Sequence, residues 1–308
     1  MSAHQPVLYQ EVLTGLSIKP SGKYIDATFG RGGHSGAILS CLNDAGQLLA
    51  FDQDPAAVQA AQAAPFDDNR FSIVAESFVA LTKVVAAQAW TGAVDGILMD
   101  LGVSSPQLDD PQRGFSFSKD GPLDMRMNPD MEMSAAQWIQ QATDTEIADV
   151  LWRYGQERYS RRIARAIVAA RELSAITTTG ALSEIIAKAH PAWERRIHPA
   201  TRSFQAIRIH INAELDSLAS VLEQCLDVLA PQGRLCVISF HSLEDRMVKQ
   251  FIRRYASDPD YPPGLPVPTQ PAVRRLKKIG RLIRPHPQET QQNPRARSAR
   301  LRIAEKIQ

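Results

Sequence analysis

The feature that most restricts this chain is the rhythm of its first hundred residues, where short apolar runs alternate with helical stretches and each run ends in small or polar residues. Four runs are legible: Tyr24-Ile-Asp-Ala-Thr28, Leu48-Leu-Ala-Phe51, Phe71-Ser-Ile-Val74 and Gly96-Ile-Leu-Met99. This is the pattern of βαβ units on a parallel sheet. Between the runs, Ser35 to Leu42 reads as helix, and Asp54-Pro55 opens another with an N-cap followed by Pro at the first helical position.

After Gln107 the rhythm changes. Ser134-Ala-Ala-Gln137 and Thr143-Asp-Thr-Glu146 are capping-box patterns, and helical periodicity holds to about Ala189, which predicts an all-helical insertion. Phe204, Ile207, Ile211, Leu215, Leu218 and Leu222 recur three and four apart and predict one further helix. A turn at Pro231-Gln-Gly233 then leads into a strand, Leu235-Cys-Val-Ile-Ser-Phe240, so the sheet resumes. From Pro259 to Pro271 the chain reads as an extended loop. The expected division is a discontinuous α/β domain, 1–107 and 206–308, with a helical substrate-recognition insertion at 108–205.

Composition bounds the class. With 308 residues, 44% hydrophobic and 22% charged, the chain has the means to bury a sizeable core. No apolar run reaches about 18 residues, and Met-Ser-Ala-His-Gln-Pro lacks the basic and apolar regions of a secretory signal, so a cytoplasmic protein is expected. Cys41, Cys225 and Cys236 form no C-x-x-C pair and leave one over, which predicts reduced thiols, with neither a disulfide framework nor a zinc site.

Charge is divided along the chain. Residues 1–110 carry 5 Lys/Arg against 12 Asp/Glu, whereas residues 231–308 carry 16 against 6. Asn293-Pro-Arg-Ala-Arg-Ser-Ala-Arg-Leu-Arg302 places four arginines within eight residues, the density of a phosphate-binding segment or of a solvated tail. Arg158, Arg161, Arg162 and Arg165 share one helical face and form a second candidate footprint, with Glu157 as a partial partner. Such asymmetry points to a polyanion.

Asp26-Ala-Thr-Phe-Gly30-Arg-Gly32-Gly33-His34-Ser35 puts glycines where a strand turns into a helix and the backbone must come close to a ligand. Asp52, at the end of the next strand, is placed to accept hydrogen bonds from ribose hydroxyls, so the pair suits NAD or S-adenosylmethionine (SAM). A dinucleotide loop prefers a third Gly where this chain has Ser35. Asp95-Gly-Ile-Leu-Met-Asp100-Leu-Gly-Val-Ser104-Ser105-Pro106-Gln107 sets an acid at the carboxyl end of the fourth strand, facing the same crevice. Amino-directed methyltransferases carry a related acid or amide with Pro there, holding an amine N–H so that the lone pair faces the methyl group. The aromatic that usually closes that motif is missing.

These stretches, with Arg113-Gly-Phe-Ser-Phe117, Gly121-Pro-Leu-Asp-Met-Arg-Met127, His198-Pro-Ala-Thr-Arg-Ser-Phe-Gln-Ala206 and Ser239-Phe-His-Ser-Leu-Glu-Asp-Arg246, resemble the bacterial ribosomal RNA small subunit methyltransferase H family, the MraW-type 16S rRNA cytosine-N4 methyltransferases. The resemblance covers almost the whole chain. It implies a class I SAM-dependent methyltransferase fold, Rossmann-like with a mostly parallel sheet and an inserted helical domain. The cofactor contacts it implies are Gly32, Gly33 and His34 in the loop, Asp52 at the ribose, Phe78 beside the adenine, and Asp100 and Gln107 on the fourth-strand side. It implies 16S rRNA in the small ribosomal subunit as substrate, and its motifs suggest Arg126, Arg202 and Arg208 for gripping the base.

Transfer of a sulfonium-bound methyl requires chiefly alignment, with Asp100 or a Ser104 or Ser105 backbone oxygen orienting the amine. Carbon methylation at C5 would need a cysteine nucleophile, and the fourth-strand loop has none. His241-Ser242 with Glu244 and Asp245 is read as a helix cap made by Ser242 and Asp245 rather than a hydrolase triad. His34 has no second ligand at metal spacing, so no metal is expected. The competing functions are an RNA-binding assembly factor with a SAM-binding fold and an NAD-dependent oxidoreductase.

Overall fold

The computed structural model describes residues 6–192, 198–257 and 274–307, so the expected loop from 259 to 271 lies outside the described residues. The chain divides into two compact units, Met1–Gly102 with Leu215–Gln308, and Val103–Glu214. The boundaries expected at 107/108 and 205/206 fall instead inside two helices, Ser105–Asp109 and Ala200–Ile211.

The first unit holds seven strands: β1 (Lys23–Asp26), β2 (Gln47–Phe51), β3 (Phe71–Val74), β4 (Val94–Asp100), β5 (Leu229–Ser239), β6 (Leu276–Ile283) and β7 (Arg300–Lys306). Their order is β3-β2-β1-β4-β5-β7-β6. The five strands from β3 to β5 are parallel, as the sequence rhythm requires, while β7 joins β5 and β6 in antiparallel pairs.

Side-chain alternation explains why the runs look apolar throughout. Ile25, Leu49, Ile97 and Val237 enter a core with the helices Leu81–Ala87, Glu214–Val228 and Ser242–Ala256. Their neighbours Tyr24, Leu48, Leu98 and Ile238 enter the opposite core with Tyr9–Leu16 and Gly33–Cys41. A strand covered on both faces has no position to spare for a polar side chain. Asp54 caps the helix Pro55–Ala60 by accepting the Ala56 N–H at 3.0 Å, as the Asp-Pro pair predicts.

Three local expectations are corrected. The turn at Pro231-Gln-Gly233 lies inside β5 as a bulge: Val94 pairs with Leu229, but the next pair joins Gly96 to Arg234. The single helix expected through Phe204 and Leu222 is two, Ala200–Ile211 and Glu214–Val228. Between them Asn212 binds the backbone, its Nδ2 donating to Met125 O at 2.7 Å and its Oδ1 accepting the Met127 N–H at 2.7 Å, and Ala213 turns to φ 47°. The arginine-rich C-terminus is no tail, because Arg300 and Arg302 belong to β7, and both reach Asp245, at 3.1 and 2.7 Å.

In the second unit, Ile147, Leu151, Ile163, Ile167, Leu182, Ile186 and Phe204 form the core of a helical array. Both expected capping boxes are present, Ser134 with Gln137 and Thr143 with Glu146. No helix among the described residues is long and apolar enough to cross a membrane.

Ile97 is fully buried in the middle of β4. Ile97→Ala should lower stability by about 2–5 kcal/mol, seen as a lower urea midpoint at unchanged denaturant slope. An unchanged midpoint would place Ile97 outside the core.

Candidate active site

β1 ends at Asp26, which is 1% exposed. Its Oδ2 accepts the Ser35 hydroxyl at 2.7 Å and its Oδ1 the Thr28 N–H at 3.1 Å. The chain then turns through Gly30 (φ 58°) and Gly32 (φ 75°) into the helix Gly33–Cys41. A side chain at Gly32 would be strained by that φ and would put its Cβ 2.2 Å from the Phe66 ring. Ser35, at the position where a dinucleotide loop carries Gly, is buried and spent on Asp26.

Asp52 follows β2 and ties the loop in place. Its Oδ2 accepts the Gly30 N–H at 2.7 Å and its Oδ1 the Asp54 N–H at 2.9 Å. Burial pushes its carboxyl up to about 6 despite those two bonds, and nearby Asp54 and Asp26 add to the rise.

Asp100 closes β4. Its N–H donates to Thr28 Oγ1 at 2.6 Å, which brings its side chain to the Gly-rich loop. Oδ2 stands 3.7 Å from His34 Nε2, and the buried Oδ1 has no hydrogen-bond partner among the described residues. Burial, reinforced by Asp26 and Glu244, pushes the carboxyl up to about 8. His34 is 6% exposed, and burial lowers its ring to about 4. The pair is therefore a neutral imidazole beside a carboxyl that is largely protonated at neutral pH, not an ion pair. Neither His34 ring nitrogen has a well-aligned partner.

The end of β5 lies beside the end of β4, since Asp100 pairs with Ile238. Ser239 Oγ is buried there without a partner among the described residues. The next helix is capped by His241, whose Nδ1 accepts the Glu244 N–H at 3.4 Å, while Glu244 Oε2 accepts the Phe240 N–H at 2.8 Å. The cap expected of Ser242 and Asp245 is thus made by His241 and Glu244, because Asp245 is taken by the β7 arginines.

The structure therefore gathers Gly32, Gly33, His34, Asp52 and Asp100 at the carboxyl ends of β1, β2 and β4. Phe78 starts a short helical turn after β3 and is half-buried against the core. Gln107 lies in the second unit, where it is 7% exposed and its Oε1 accepts the Ser104 N–H at 2.8 Å as part of a capping box. Asp26, Thr28, Ser239, His241 and Glu244 were not anticipated as site residues. Asp26 and Thr28 stood in the loop motif itself, whereas a histidine N-cap has no place in the usual Ser/Thr/Asp/Asn rule.

The proposed RNA footprints fare differently. Arg161, Arg162 and Arg165 are exposed on the helix Ser160–Leu173, with Arg158 exposed just before it. Glu157 is no partner for them: it is 1% exposed, accepts the Tyr159 N–H at 2.9 Å and faces His190 at 3.6 Å. Arg126 is held by Asp124 at 2.7 Å and Arg208 by Glu214 at 2.8 Å. Arg202 is half-buried on the helix Ala200–Ile211.

Among known proteins, the model of the MraW methylase family matches residues 1–307. A Coxiella burnetii (strain RSA 493 / Nine Mile phase I) protein named ribosomal RNA small subunit methyltransferase H is 59% identical over 307 residues, which is 100% of both chains. The protein of that name from Nitrosococcus oceani is 57% identical, covering 99% of this chain and 98% of its own. That from Xanthomonas oryzae pv. oryzae is 56% identical, covering 100% and 90%.

Because Asp100 binds its proton more tightly in the folded chain, its contribution favours folding at low pH and is lost as pH rises from the ordinary carboxylate range through about 8. His34 acts at lower pH and with opposite sign, its contribution being lost as pH falls from 6.5 through about 4. Asp100→Asn should therefore flatten the fall in thermal midpoint of the ligand-free protein between about pH 6 and about pH 9. The same slope in both proteins would show that Asp100 does not titrate there.

Proposed function

The chain belongs to the MraW methylase family, and from that membership we propose that it transfers a methyl group from SAM to N4 of a cytosine in 16S rRNA. One observation carries the chemistry: the Asp100 carboxyl stands at the end of β4 with one oxygen that no donor occupies among the described residues. Around it, Asp26, Asp52 and Glu244 make an acidic surrounding that suits a ligand with cationic sulfonium and ammonium groups. The residues present therefore fit SAM. An NAD reading is disfavoured by Ser35, whose side chain fills the place of the third glycine.

When bound, SAM supplies a methyl group already activated by the sulfonium charge. Gly32 and Gly33 admit the ligand close to the backbone where the helix begins, Asp52 accepts from the ribose hydroxyls, and Phe78 flanks the adenine. Asp100 accepts one N–H of the exocyclic amine at its carboxyl and so turns the nitrogen lone pair toward the methyl group. Displacement then needs the reacting atoms about 3–3.5 Å apart and in line, and that positioning supplies most of the rate. Once a cationic ligand has driven off its proton, the Asp100 carboxylate is also suited to take the proton that the methylated amine releases. His34, held neutral, keeps a second cation away from the crevice.

The substrate in this reading is the rRNA within the small ribosomal subunit or a late assembly intermediate, where the base must be unstacked to reach the crevice. The compartment is the cytoplasm, in keeping with three cysteines that are all free thiols.

Small subunits lacking the modification, incubated with the protein and methyl-labelled SAM, should yield label in N4-methylcytidine after digestion. Asp100→Ala should lower the rate by about 100-fold or more while the protein stays folded. Label in another nucleoside would reject the specificity. SAM and RNA binding without transfer would favour an assembly factor.

A further inference from the structure

The C-terminal quarter carries the excess of positive charge, and in its densest run two of the four arginines, Arg300 and Arg302, are consumed by Asp245, while Arg295 and Arg297 are exposed. A further group of cations lies around a cavity of about 720 Å³ between the second half of the helix Ser242–Ala256 and the sheet edge formed by β7 and β6. Lys249 and Arg253 line it from the helix, and Lys278 and Arg281 from the edge strand. All four are exposed, and none has a carboxylate partner among the described residues. Among the described residues Glu305 is the one acid in the lining, and Arg234 holds it at 2.8 Å.

The register shows that these cations oppose one another. Lys278 pairs with Ala304 on β7, so it projects to the same face as Arg302 and Lys306, the face on which the helix packs. On the helix, Asp245, Lys249 and Arg253 follow at intervals of four and share one side. The acid at the head of that row is matched by arginine, and the two cations after it line the same cavity as Lys278. Lysine on an edge strand also discourages strand pairing. That role needs neither the two helix cations nor a cavity, which has an apolar floor of Ile252 and Leu276.

The cavity is separate from the cofactor crevice. The helix runs back from the end of β5, and the cavity reaches Gln232 near the start of that strand, so it extends toward the opposite end of the sheet. Two strands, β5 and β7, separate β4 from β6. We infer that this groove binds the phosphate backbone of the substrate RNA away from the target base, with Lys249, Arg253, Lys278 and Arg281 contacting phosphates. The inference rests on the rRNA reading above and deepens it. The partner it fits is a phosphodiester chain tracked by charge, with sugars against the apolar floor.

The test compares wild type with the pairs Lys249→Gln/Arg253→Gln and Lys278→Gln/Arg281→Gln, measuring affinity for transcribed 16S rRNA across salt concentrations, alongside SAM affinity and thermal midpoint. Each pair should weaken RNA binding at least about tenfold and reduce the slope of log affinity against log salt by about 1.4 to 1.8, two contacts' worth, with SAM affinity and midpoint unchanged. Unchanged RNA affinity and slope in folded variants would overturn the inference, and self-association of the edge-strand variant with RNA binding intact would return Lys278 and Arg281 to edge protection. Inorganic phosphate that displaces RNA far better than chloride at equal ionic strength would assign the groove to a free anion instead. Because binding is read apart from transfer, a wild type that binds rRNA in the groove but methylates nothing would count against the proposed activity, not the groove.

Discussion

The hydrogen bond from the Asp100 N–H to Thr28 Oγ1, 2.6 Å long, is the contact on which the candidate site depends. It joins the first residue of the Gly-rich turn to the last residue of β4, two strands that lie side by side in register, Asp26 opposite Leu98. That register is pinned from below, where Gly96 leaves room for the Tyr24 ring and a Cβ there would meet the ring at 2.9 Å. The Tyr24 hydroxyl in turn accepts the Lys19 N–H at 2.7 Å. Since neighbouring side chains on a strand enter opposite cores, a slip of one residue would exchange Ile97 with Leu98 and turn Asp100 away from the loop. Packing in the middle of the sheet thus decides where a carboxyl stands at its end.

The same geometry concentrates negative charge. Asp26, Asp52 and Asp100 end three adjacent parallel strands, and Glu244 adds a fourth carboxyl from the β5 side. Holding them together out of water is unfavourable unless protons or a cation neutralise them, which is why Asp52 and Asp100 both hold their protons above the usual range. A cationic ligand would release that cost, and ligand binding and proton release are then linked at Asp100. An RNA substrate meets the opposite problem, because such a crevice repels phosphates. The unpaired cations on the far edge offset that repulsion at a distance, where they hold the chain without competing for the acids.

How much of this was legible depended on which force fixed each element. The five parallel strands were readable because burial on two faces leaves an unbroken apolar run, and Asp54-Pro55, Ser134 and Thr143 announced their helices because capping is chemistry within four residues. The Gly-rich turn, Asp52 and Asp100 were readable as a group because strand ends in such sheets converge. By contrast, the break at Asn212 depends on the carbonyl of Met125 and the N–H of Met127, more than eighty residues earlier. Periodicity runs through that break undisturbed, since both helices keep their apolar residues three and four apart. Gln107 shows another limit: a residue that caps its own helix carries the same local pattern whatever else it touches.

Two of the four C-terminal arginines have a structural use, for a reason that applies to charge counts generally. β7 reads Arg300-Leu-Arg-Ile303, an alternation in which Leu301 and Ile303 enter one core while Arg300 and Arg302 turn to the other face and meet Asp245. Density of arginine along the chain looked like a phosphate site, but an antiparallel strand with one matched acid needs the same letters. Against burial, which would raise it, the hydrogen bonds and charges of Arg302 and Arg300 hold the Asp245 carboxyl below its usual range, so these charges are spent on fixing β7 to its neighbouring helix. Lys249, Arg253, Lys278 and Arg281 are sparser in sequence and come together only when the helix lies against the edge strand. A polyanion responds to the charge that folding leaves unmatched, and that quantity belongs to the pairing of elements rather than to any segment of the sequence.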